Sequence, residues 1–224
     1  MSRTAAVGVG AVVLLTVAAV AVGVAWDHRR AAVVTEEPIT TTDLVDQGGR
    51  PLAVKRGDRL TVDFVGDRLV DGWGATSPDN GFVAVTSRDW ESGGPVEATT
   101  ISAEDVDPAA VPTADIVVLA LGTEDASRGE LIEPFSERYG ALLESMVARN
   151  PGTAFVCLGT WLPDAVGRSY DYAIRTQCQA RGGRFRTLAE VYRASPEREG
   201  SGPSDADHAA IASLVTGSIT TSPS

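Results

Sequence analysis

Residues 115–121 read Asp-Ile-Val-Val-Leu-Ala-Leu, an unbroken aliphatic run that Gly122 stops. Continuous rather than alternating apolar character marks a strand covered on both faces, as in a parallel sheet between two helical layers. Residues 59–65 (RLTVDFV) close the same way at Gly66 and Asp67, and 153–158 (TAFVCL) and 184–188 (RFRTL) repeat the pattern. Helical periodicity fills the gaps. From Pro134, a residue suited to a first helical position, Phe135, Tyr139, Leu142, Leu143 and Met146 share one face until Asn150, Pro151 and Gly152 end it. A second helix is expected from Ser169 as cap, through Tyr170, Ala173, Ile174 and Cys178, to Gly182 and Gly183. A last one follows Pro203 and Ser204 through His208, Ile211, Leu214 and Val215. This alternation implies a three-layer α/β/α sandwich with a mainly parallel sheet. Chemistry in such a fold belongs to the loops at the carboxyl ends of the strands, here after Val65, after Leu121 and before the last helix.

Outward from this core, residues 5–25 (AAVGVGAVVLLTVAAVAVGVA) are 21 uncharged residues, enough to span a bilayer core. The run exceeds the roughly 7 to 15 residues of a cleavable signal, so residues 1–30 are expected to be a retained membrane anchor. Gly23, Val24 and Ala25 supply the competing reading, a cleavage site that would release a secreted protein. Residues 31–56 show no sustained period and read as a stalk, leaving a domain at 57–218 and a tail at 219–224. Its length fits one domain with a real core.

The chain holds 19 basic and 30 acidic residues, a net charge of −11. Three of the arginines but only one aspartate fall in residues 1–30, so the remainder is more acidic still, at −13. A nucleic-acid partner needs a basic face and is not expected. Cys157 and Cys178 are too few, and wrongly spaced, for a zinc site, so neither metal nor cofactor is expected. They are either two buried thiols or one disulfide; a strand and the helix after it can bring α-carbons within bonding reach, and an oxidising compartment favours the bond.

Three segments, VDFVGDRLVDGWGATSPDNGFVAV (62–85), VVLALGTEDASRG (117–129) and GPSDADHAAIASLV (202–215), resemble in order the opening, third and closing blocks of the SGNH, or GDSL, hydrolases. The likeness runs over about residues 59–215. It implies a flavodoxin-like sandwich, enzymes that cleave esters or move acyl groups, and a domain outside the cytoplasm. In that family a serine attacks the carbonyl, a histidine oriented by an aspartate takes its proton, and the serine amide, a glycine amide and an asparagine side chain hold the oxyanion.

Here the chemistry departs from the family. After Gly66 and Asp67 the serine position is Arg68, whose permanently protonated guanidinium is no nucleophile. Thr76 and Ser77 lie eight and nine residues further on. After Gly122 the asparagine position is Glu124, followed by Asp125, and a carboxylate repels an oxyanion. Glu97, in PVEATTI (95–101), falls where the glycine would stand. The closing block has two registers. In one, Asp205 and His208 are the acid and base, lacking a nucleophile. In the other, His208 is a later histidine inside the helix and the catalytic pair falls at Glu199 and Gly202; Pro203 and Ser204, natural helix-start residues, favour this second register.

The expected function is therefore binding or scaffolding at the cell envelope by a domain that has lost its catalytic groups, with an acylated or glycan ligand. The alternative is an active esterase using Asp205 and His208 with a non-standard nucleophile. Arg68 is expected either to bind an anion or to pair with Glu124, Glu199 or Glu97. Asp67 and Asp125 are expected to hold loop amides. Trp73 and Trp161 either line a groove or cover the core.

Overall fold

The computed structural model describes residues 50–103, 113–196 and 202–223. The candidate anchor, most of the stalk and Glu199 lie outside these residues. Each apolar run is a strand of one sheet: β2 (Leu60–Gly66), β4 (Ile116–Ala120), β5 (Ala154–Leu158) and β6 (Arg184–Arg186), joined by β3 (Val96–Ser102). The order is β3-β2-β4-β5-β6 and every pair is parallel. Side chains of β2, β4 and β5 are buried on both faces, the reason their sequences do not alternate.

The two faces carry separate cores. On one, Leu60, Val62, Phe64, Ile116 and Val118 pack against α1 (Phe82–Glu91), α5 (Ala189–Ala194) and α6 (Asp205–Thr216) through Phe82, Trp90, Tyr192, Ile211 and Val215. On the other, Val65, Val117, Leu119 and Phe155 meet α3 (Ile132–Arg149) and α4 (Asp164–Ala180) through Phe135, Tyr139, Leu143, Ile174 and Cys178. A short α2 (Thr123–Ser127) follows β4. Cys157 on β5 and Cys178 on α4 form a disulfide, with α-carbons 6.3 Å apart and both side chains fully buried.

Two expectations on element boundaries change. The second helix begins at Asp164, five residues before Ser169, because Gly167 sits where a side chain would press into Thr160 and Leu162. Its absence interrupts the apolar stripe and makes Ser169 look like a cap. The larger change is at the chain ends. β1 (Leu52–Arg56), from the end of the supposed stalk, pairs in parallel with β7 (Ile219–Pro223), the supposed tail. The folded unit therefore reaches from Leu52 to Pro223.

This two-stranded strap crosses the amino ends of the main sheet. At one end the buried Arg56 donates to the carbonyls of Trp90 (3.1 Å) and Pro95 (2.6 Å), just before β3. At the other, Arg184 at the start of β6 donates to the carbonyl of Arg50, and Arg186 Nε donates to Ser218 Oγ at 2.7 Å. The strap and the family-motif loops thus lie at opposite edges of the sheet. No helix among the described residues is long and apolar enough to cross a membrane.

Candidate functional site

The loop after β2 begins at Gly66, where a β-carbon would stand 2.6 Å from the carbonyl oxygen of Ala120. Asp67 follows, its N–H donating to that same carbonyl (3.0 Å). The Asp67 carboxylate accepts from the amides of Leu69 (3.2 Å) and Glu124 (3.3 Å), tying the loops after β2 and β4 together as expected. Burial pushes its pKa up to about 6, against the pull of those two amides. Asp125 does not hold an amide. Its carboxylate faces Arg138 (3.1 Å) and Arg128 (3.6 Å), and its pKa is raised by burial and by the neighbouring Glu130 carboxyl.

Arg68 projects from this loop with its guanidinium stacked on Trp73, 3.5 Å from the ring centroid, and its Nε 3.7 Å from Glu124 Oε1. The predicted pair with Glu124 is present. Glu97 is elsewhere: it sits opposite Thr61 near the amino end of β3 and pairs with Arg59 at 2.5 Å. The strand continues five residues to Ser102, so Glu97 is not at a strand end and takes no part in this site. Gly122 adopts φ 108° at the N-terminus of α2, with the Phe135 ring 3.0 Å from where a β-carbon would lie.

In the closing block His208 lies within the last helix, as the second register has it. Ser204 caps α6, accepting from the Asp207 amide, while Asp207 accepts from the Ser204 amide (2.9 Å). His208 is inside that helix and fully buried. Its Nδ1 accepts from the Phe82 amide (3.1 Å) and its Nε2 lies 3.0 Å from the Trp73 carbonyl, to which it donates. Both bonds together require the neutral ring protonated on Nε2. Burial, its largest influence, holds its pKa below the usual histidine range. Asp205 accepts from the amide (2.8 Å) and hydroxyl (2.6 Å) of Thr76 and from Asn80 Nδ2 (2.9 Å). Those bonds draw its pKa down. Neither residue is disposed as an acid–base partner for a nucleophile; together they clasp the 73–82 loop to α6.

Gly202 completes the clasp. A β-carbon there would press into the Trp73 carbonyl, 2.6 Å from its carbon, and Gly74 (φ 88°) stands equally close to Gly202 from the other side. A histidine has no room at this position.

Trp161 is a core residue, its ring edge-on to Tyr192 and its amide donating to Thr123 Oγ1 (3.0 Å). Sequence reading weighs Thr76 only as a displaced hydroxyl and gives Asn80 and Phe82 no role; the Asp205–Thr76 pair spans 129 residues. Sequence reading also passes over a cavity of about 580 Å³ beside the Arg68–Glu124 pair, lined by Asp67, Leu121, Glu124, Arg128, Phe135, Arg138 and Leu142. Among the described residues no group of acidic, histidine or cysteine side chains is placed to hold a metal ion.

The profile of the GDSL-like Lipase/Acylhydrolase family matches residues 64–208, from the end of β2 to His208 itself. The chain belongs to this SGNH/GDSL family. No curated protein sequence matches it. Among solved structures it is similar to TesA, at 18% identity and TM-score 0.59 over 69% of this chain and 95% of that one. It is also similar to a two-domain esterase active on acetylated mannans, at 19% identity and TM-score 0.56 over 71% of this chain and 48% of that one. A third is a family two carbohydrate esterase from Clostridium thermocellum in complex with cellohexaose, at 18% identity and TM-score 0.53 over 75% of this chain and 64% of that one. At such identities the likeness is one of fold. The SGNH sandwich is intact here, and what has changed is the set of chemical groups on its loops.

Proposed function

We propose that this SGNH/GDSL domain is a non-catalytic binding module. One observation carries the reading: the loop position that a family enzyme gives to its nucleophile is filled by Arg68, locked between Trp73 and Glu124. A guanidinium cannot attack an ester, a carboxylate at position 124 opposes an oxyanion, and the glycine at 202 leaves no base. His208 cannot substitute, since both of its ring nitrogens are engaged in the clasp.

The ligand-facing surface in this reading is the open cavity beside Arg68 and Glu124, where an apolar wall meets charged groups at the mouth. The ligand class is an acylated molecule or a glycan, and the solved relatives that act on acetylated mannan or hold cellohexaose lend support. In this reading the module is anchored in the membrane at the cell envelope with its domain outside the cytoplasm, which the 21-residue apolar run and the Cys157–Cys178 disulfide, suited to an oxidising compartment, support.

The test is turnover of a chromogenic acetate ester by the purified chain and by Arg68→Ser, with an active relative alongside. Both are expected to match the buffer rate, because restoring a hydroxyl at 68 restores neither base nor oxyanion donor. Hydrolysis by the unmodified chain that Glu124→Ala abolishes would overturn the proposal.

A further inference from the structure

The two rims of the main sheet are finished differently. β6 is three residues long, and its two arginines reach across to Arg50 and Ser218 of the strap. β3 is seven residues long and pairs with β2 alone among the described strands. Residues 97–100 are exposed, and the register to β2 runs unbroken over seven pairs, so no bulge twists the rim away. Proteins usually protect such a rim with charge, proline, a bulge or a short strand. β3 reads Val-Glu-Ala-Thr-Thr-Ile-Ser, and its single charge, Glu97, is neutralised by Arg59 of the same chain. Alongside the rim runs a groove of about 410 Å³, where Ala98 and Thr100 face the small side chains Ala84 and Ser87 of α1. Small residues there leave room for the side chains of one more strand.

We propose that a second copy of this chain occupies the rim, its β3 pairing antiparallel with this one about a two-fold axis at Thr99. The two five-stranded sheets then join into one of ten. A net charge of −11 sets copies against each other over most of their surface, whereas the one charge on β3, Glu97, is paired with Arg59, and Asp71 lies across the groove. The isologous arrangement supplies an edge of equal length, and antiparallel ladders are the more stable kind. An axis at Thr99 sets Ala98 opposite Thr100 and Glu97 opposite Ile101, so no like charges face each other.

The experiment uses the full chain in non-ionic detergent. Both native cysteines are bonded to each other, so Thr99→Cys introduces a lone thiol. Treated with a short bismaleimide, Thr99→Cys is expected to give a product of about twice 23.3 kDa. Leu131→Cys, equally accessible at 69% exposure but remote from the rim, is expected to give none. In sedimentation the unmodified chain should be dimeric. Thr99→Lys, which opposes two cations at the axis on an exposed position, should be monomeric while its far-ultraviolet circular dichroism matches that of the unmodified chain. A monomeric unmodified chain, a dimer that survives Thr99→Lys, or equal cross-linking at positions 99 and 131 would each overturn the proposal, the first two pointing to a different protein as the strand's partner.

Discussion

The two halves of the degenerate site are built in opposite ways. The half formed by Trp73, Gly74, Phe82, Gly202 and His208 is packed backbone against backbone around the buried Phe82, Gly202 and His208, with directional hydrogen bonds. The half formed by Arg68, Glu124 and Arg128 is solvent-facing, with ion pairs of 3.7 and 3.8 Å between partly exposed groups. The packed half admits no side chain at Gly202, whereas the exposed half carries its charges at little cost to the fold. Under the proposed non-catalytic reading, the change runs through surface chemistry on one side and through close packing on the other.

That contrast is sharpest at Gly202. Gly202→Ala is expected to lose about 3 kcal/mol or more, since the added carbon must displace the Trp73 backbone; equilibrium denaturation reads it, and a loss under ~1 kcal/mol would mean the loop gives way. His208→Ala strands the Phe82 amide and the Trp73 carbonyl in a buried space and should cost about 2–3 kcal/mol. Loss of the same size from Asp205→Ala, whose partners are exposed, would break the distinction between buried and exposed contacts.

His208 and the buried Asp67 answer oppositely to pH. His208 has a folded pKa below the unfolded value of 6.5, so its contribution is complete above pH 6.5 and declines as pH falls below it. Asp67 has a folded pKa of about 6, above its unfolded 3.8, so its ionisation lowers stability as pH rises from about 4 through 6. Asp67→Asn should therefore fare better relative to the unmodified protein at pH 8 than at pH 4, by about 2 kcal/mol, in urea melts at the two values. A difference independent of pH would show that Asp67 is not the titrating group. The smallest effect is expected at the exposed pair: Arg68→Ala should move stability by less than ~1 kcal/mol. A large loss there would erase the comparison.

The central strands were legible because burial on both faces leaves no room for polar alternation, as in residues 115–121. The last helix was legible because Pro203 and Ser204 announce it, and with it the structural place of His208. The strap was not. Leu52–Arg56 and Ile219–Pro223 mix apolar with Lys, Arg, Thr and Ser, and what makes them strands is each other, across 167 residues of chain. Within the site, the residue identities at 68, 124 and 202 were legible as departures from the family motif. The stacking of Arg68 on Trp73 and the exclusion of a side chain at Gly202 depend on loops meeting in space, which no local pattern records. Glu97 shows the converse: a motif-like position whose strand runs on past it.

The strap has a mechanical meaning. β1 and β7 run parallel, so tension on the chain at Arg50, directed along the strand, loads all five rungs from Leu52 to Arg56 in shear. A hairpin pulled at its open end unzips one rung at a time; this pair must slip as a whole. A domain held by its leading end would bear drag on its far loops without its first strand peeling away.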